Sequence, residues 1–162
     1  MTIEYPYGTT ERILSIIPNV TVKAGFLGLK TRQHSVVITN NRILFARITV
    51  ARMKELSAQG KEEAKNQGKG RIAQLLANPH VYEKLVERYQ ELGPEGVLVD
   101  HPANFAVDRA TVSTVKLKTT AGPEGGVGSD VLILKTTGKT YKVTLGGSKS
   151  AAREALESAG LM

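Results

Sequence analysis

The sequence predicts an α+β fold: a curved antiparallel β-sheet, a barrel or sandwich, closed by a C-terminal helix and interrupted by a helical block between its third and fourth strands. Three observations predict it. Two β-branched runs flank Asn40-Asn41; the hydrophobic period changes from two to helical after Thr49; and a second hairpin pattern precedes an Ala-rich terminal helix. Antiparallel strands with one apolar face need a cover, which the terminal helix supplies.

Taken in order, Met1 to Thr10 reads as an irregular lead-in broken by Pro6 and Gly8. A first strand is expected at about Arg12 to Ile17, bending at Pro18. Gly25 and Gly28 loosen the stretch from Lys23 to Gln33. Ser35 to Thr39 and Arg42 to Ile48 then form a hairpin. Asn40-Asn41 tolerates the left-handed conformations of a type I′ turn, and a bulge is expected near Ala46.

Val50, Met53 and Leu56 begin a helical face. Gly60 to Gly70 has no apolar residue larger than Ala64 and is expected to be the most mobile internal segment. Asn78-Pro79 starts a helix whose stripe is Val81, Tyr82, Leu85, Val86, Tyr89 and Leu92, and Gly93-Pro94 stops it. Val97-Leu98-Val99 suggests a short strand. Phe105 to Thr120 returns to β character, and a Gly-rich loop covers Ala121 to Ser129. Val131 to Leu134 and Tyr141 to Leu145 bracket the turn Thr137-Gly138-Lys139. Ser148 or Ser150 caps the last helix, with Ala151, Ala152, Ala155, Leu156 and Ala159 as its stripe and Gly160 as its end. The predicted order is three strands, a helical block, three strands and a helix. It makes one domain, 1–162, with a β core at 11–49 and 104–162 and an insertion at 50–102.

Composition narrows the function classes. The 162 residues include no cysteine, so neither a disulfide framework nor a thiolate site exists. The start lacks a basic region followed by an apolar one, and no apolar run approaches a membrane span. A cytoplasmic protein, with peripheral membrane contact as an option, is the expectation. A net charge of +7 permits anionic lipid, nucleic acid or acidic protein as partner. With 5 % aromatic residues and no Trp, a stacking platform for single strands is poorly supplied.

Thr39-Asn40-Asn41-Arg42-Ile43-Leu44-Phe45 resembles the turn-and-strand "T-N-x-R-L-x-F" of the pleckstrin-homology-like superfold, including its GRAM and bacterial members. The strand pair from Val131 to Leu145 followed by a helix is similar to the close of those domains. The resemblance covers Arg12 to Ile48 and Phe105 to Leu161; Val50 to Pro102 departs from it. It implies a non-enzymatic binding or adaptor module. Some members bind phosphoinositides through a pattern K-xₙ-[K/R]-x-R between the first two strands, which Lys23 and then Lys30-Thr31-Arg32 resemble. Beside them, Phe26 and Leu27 form an apolar pair suited to an interface. The anion- or lipid-binding candidates are therefore Lys23, Phe26, Leu27, Lys30 and Arg32, weighed against an ordinary solvated or partner-facing loop.

Other constellations are weaker. Gly122 to Gly128 lacks the G-K-[S/T] ending of a phosphate loop. His80, Glu83, Asp100 and His101 do not match a metal motif, and no G-x-S-x-G elbow is present. The reading therefore names no catalytic residue, cofactor or metal. Two alternatives stand beside the binding module. One is a self-assembling scaffold pairing with copies of itself. The other is a non-specific nucleic-acid binder using Lys65, Lys69 and Arg71.

Overall fold

Among the described residues, seven antiparallel strands form one sheet in the order β4-β3-β2-β1-β7-β6-β5. The computed structural model describes residues 10–24, 30–56, 79–126 and 128–162. The strands are β1 (Ile13–Ala24), β2 (Lys30–Thr39), β3 (Arg42–Arg47), β4 (Phe105–Asp108), β5 (Val112–Thr119), β6 (Asp130–Thr136) and β7 (Thr140–Leu145). Helices α1 (Val50–Leu56) and α2 (Pro79–Val99) stand between β3 and β4, and α3 (Lys149–Ser158) ends the chain. The segment expected to be most mobile, Gly60 to Gly70, lies outside the described residues, as do Lys65, Lys69 and Arg71.

The alternation of side chains splits the core into two layers. On one face Val36, Ile38, Ile43, Phe45, Leu132, Leu134 and Val143 pack under α3, which contributes Ala152, Leu156 and Ala159. On the opposite face Val37, Leu44, Ala46 and Ile48 pack under Met53 of α1 and Val81, Leu85, Tyr89 and Val97 of α2. Among the described residues the helical block thus covers the β1–β3 half of its face. Ser148 caps α3 by accepting from the Ala151 N–H at 3.0 Å, and Gly160 closes it at φ 72°. Ala152, Leu156 and Ala159 fall on one side of this helix, whereas Ala151, expected in the same stripe, is exposed.

Several expectations are corrected. The sheet is open: among the described residues no ladder joins β4 to β5, so the barrel is not closed. Asp108 accepts from Ala110 N–H and caps a 3₁₀ turn at Arg109–Thr111, which splits the expected single β stretch and makes seven strands rather than six. β1 does not end at Pro18 but runs to Ala24, absorbing Pro18-Asn19 as a register shift between Ile17 and Val20. The β2–β3 hairpin forms at Asn40-Asn41, yet neither residue has a positive φ, so the turn is not type I′. Thr39 Oγ1 holds it instead, accepting from the N–H groups of Asn41 (3.1 Å) and Arg42 (2.8 Å). The Asn40 side chain turns outward, accepting from Arg12 N–H at 2.7 Å and donating to Thr10 O. No bulge occurs at Ala46, where the β2–β3 register is continuous.

Gly93 breaks α2 where expected, at φ 69°, but the helix resumes with Pro94 and carries Val97 to Val99 as helix rather than strand. Proline suits a first helical position, and the restart buries Val97 against the sheet. Arg42 anchors the junction, donating through Nε and Nη2 to the Glu11 carboxylate and through Nη2 to Glu95 Oε1.

Candidate functional site

At the end of the sheet where β2 begins and β3 ends, basic side chains gather without acidic partners. Arg32 and His34 are two residues apart on β2 and so share a face, and His34 is the cross-strand partner of Arg47 on β3. His101, from the connection between α2 and β4, completes the group, and together with Arg47 it disfavours a proton on His34. The register brings the turns between β1 and β2 and between β6 and β7 to this same end. We call it the mouth.

Beneath the cluster lies an aromatic floor. Phe45 and Phe105 stack with centroids 4.7 Å apart, Tyr141 adds a third ring, and the His34 ring meets Phe105 edge-on at 6.2 Å. Lys139 Nζ stands 4.8 Å from the Tyr141 ring centre. Asn104 sets the β3 exit, accepting from Arg47 N–H at 2.7 Å and donating to Val97 O at 2.7 Å.

Electrostatics at the mouth are unbalanced. His34 is 4 % exposed, and burial pushes its pKa below 6.5; the backbone carbonyl of Arg32 opposes that shift, and Arg47 and His101 add to it. Burial also lowers the Arg47 pKa, and the charge of Arg32 lowers it further. Arg47 Nε is buried without a hydrogen-bond partner. Among the described residues no carboxylate pairs with Arg32 or Arg47. An unpaired buried donor within a group of cations is a standing cost that an incoming anion relieves.

The five sequence candidates separate. Arg32 is half-buried and belongs to the mouth. Lys23 is exposed on the opposite face, since it follows Val22, the partner of Arg32. Lys30 opens β2 opposite Ala24, so Lys23, Lys30 and Arg32 stand in the paired strands β1 and β2 rather than in the expected inter-strand loop. Phe26 and Leu27 lie outside the described residues. Sequence reasoning missed His34, Arg47 and His101, because their proximity depends on strand register and on where α2 returns the chain.

The remaining candidates are otherwise engaged. Asp100 accepts from Arg52 (3.1 Å) and Arg88 (2.7 Å), and His101 Nδ1 accepts from Ala103 N–H. Among the described residues no group of three or more His, Asp or Glu is placed to hold a metal ion. Nor is any described helix long and apolar enough to cross a membrane. The Gly-rich loop joins β5 to β6 and follows no strand-to-helix geometry of a phosphate loop.

Fold and site together define a class: an α+β protein on one open seven-stranded antiparallel sheet, with a C-terminal helix on one face and a cationic cluster at one end. Comparison with protein-family models, curated proteins and solved structures found no match to the chain.

Proposed function

We propose that this protein is a non-enzymatic, pleckstrin-homology-like binding module whose mouth receives an anionic lipid headgroup. The strand order and the C-terminal helix support the architectural part of this reading. One observation carries the functional part: Arg47 Nε is buried and unpaired beside Arg32, His34 and His101. A phosphate oxygen at that position accepts from the Arg47 guanidinium and offsets the charges of Arg47 and Arg32 together.

Vesicle flotation tests the proposal. Phosphatidylglycerol vesicles carry the protein upward at low salt, and phosphatidylcholine vesicles do not. Each cation near such a surface is worth about 1 kcal/mol, so Arg32→Ala with Arg47→Ala weakens binding about thirtyfold. Unchanged flotation of the double variant contradicts the proposal.

A further inference from the structure

The face of the sheet that α2 covers at β1–β3 continues, uncovered by any described helix, over β7, β6 and β5. Its residues there are Thr114, Lys116 and Lys118 on β5, Val131, Ile133 and Lys135 on β6, and Thr140, Lys142 and Thr144 on β7. Register fixes the pattern. Ile133 stands between Lys116 and Lys142, and Val131 between Lys118 and Thr144. Lys23 of β1 borders the same crevice as Lys118 and Lys142. The result is an apolar strip of half-buried Val131 and Ile133 along β6, with exposed lysines on both sides. Two crevices of about 350 and 450 Å³ share Ile133 and Lys142 and so run together along it. None of the four lysines at 23, 116, 118 and 142 makes an ion pair among the described residues.

We propose that this strip is the docking surface for an acidic amphipathic helix of a protein partner. The dimensions select that occupant. Neighbouring strands are about 4.8 Å apart, so Lys116 and Lys118 of β5 lie about 10 Å across β6 from the β7 strand that carries Lys142. That spacing matches the width of one helix, about 10–12 Å with its side chains. An apolar stripe seats on Val131 and Ile133 while glutamates or aspartates on its two flanks meet Lys116 and Lys118 on one side and Lys142 on the other. The chain already shows the arrangement, because the apolar stripe of its own α2 covers the other half of this face. The strip lies on the opposite side of the sheet from Arg32 and His34, so its test is independent of the mouth.

The test uses a synthetic 16-residue helix with leucines along one stripe and glutamates on both flanks, and a scrambled peptide of identical composition. Titration followed by amide shifts gives saturable changes on β5, β6 and β7 with the striped peptide and at least tenfold weaker binding with the scrambled one. Ile133→Ser weakens the striped peptide about tenfold, and Lys116→Glu with Lys142→Glu weakens it more. These positions are exposed or half-buried, and circular dichroism confirms that each variant is folded. Equal binding of the two peptides overturns the proposal, as does a response centred on Arg47. It is also overturned if the Lys116→Glu, Lys142→Glu variant keeps its peptide affinity while losing phosphatidylglycerol vesicles, which would assign the strip to membrane.

Discussion

The Tyr89 hydroxyl meets Ser35 Oγ at 2.9 Å inside the layer between α2 and the sheet, and Ser35 Oγ donates in turn to Pro18 O at 2.7 Å. One relay therefore ties the helical block to β2 and to the irregular turn of β1. It also satisfies a carbonyl that the register shift at Pro18 leaves without a ladder partner. Burial raises the Tyr89 pKa to about 12. Tyr89→Phe removes one buried hydrogen bond and costs about 1 kcal/mol, or about 2–4 °C in melting temperature. Calorimetry checks it, and an unchanged melting temperature means that the relay does not hold the helix.

Leu156 is 1 % exposed at the centre of the α3 contact. Leu156→Asp places a carboxylate among Ile17, Val20 and Leu145, and it destabilises by several kcal/mol, of order 3–5. Urea unfolding measures the loss. A shift of the midpoint no larger than that of a surface substitution shows that α3 docks by another face.

Arg42 binds Glu11 through two nitrogens and reaches Glu95 at 2.5 Å, while the Glu11 side chain is 4 % exposed. Arg42→Met removes the guanidinium from the buried Glu11 carboxylate, and breaking such a buried pair costs about 3–5 kcal/mol. Glu11→Gln in the Arg42→Met background recovers part of it, because a neutral amide is cheaper to bury. A double-mutant cycle of urea midpoints reads this directly, and strict additivity rules the pairing out.

His34 gives the molecule a pH dependence of known sign. Its folded pKa lies below the unfolded value of about 6.5, so the unfolded chain binds the proton more readily. The stabilising contribution is full above about pH 6.5 and is lost as pH falls through the folded pKa. An anion at the mouth reverses the preference, since it favours the imidazolium. Vesicle affinity therefore rises as pH falls below 6.5, and His34→Gln flattens the profile. A profile identical in the two proteins places the anion away from His34.

Much of the fold was legible because it rests on local chemistry. The β-branched runs around Asn40-Asn41, the helix start at Pro79, the Gly93 break and the Ser148 cap are all set by residues within a turn of one another. The misses share a different cause. Thr39 took over the hairpin turn, because its hydroxyl reaches two N–H groups and leaves the asparagines in ordinary conformations. Pro18 read as a bend after a strand stopping at Ile17; the irregularity is there, yet Ser35 and the Asn19 carbonyl, which accepts from Gly146 N–H, carry the strand across it. Val97 to Val99 looked extended until the need to cover Leu44 and Ala46 made them helical.

The site was legible only in part. Arg32 stood out within a basic pattern, but Lys23, two positions from Thr21, fell on the opposite face once the register was set. The exposed lysine row at Lys116 and Lys118 was not read from the sequence, although the alternation Lys116-Leu117-Lys118 carried it in its period of two. His34 against Arg47 was beyond reach, because only a cross-strand pairing and the return of the chain at His101 bring those charges together.

The most direct measurement of the central claim is flotation with phosphatidylglycerol vesicles at low salt, comparing the native protein with two double variants. The account predicts about thirtyfold weaker binding for Arg32→Ala with Arg47→Ala, and a smaller loss for Lys116→Ala with Lys118→Ala, which remove equal charge from the other face. Equal losses from the two pairs would reduce the binding to net charge and contradict a built anion site at the mouth.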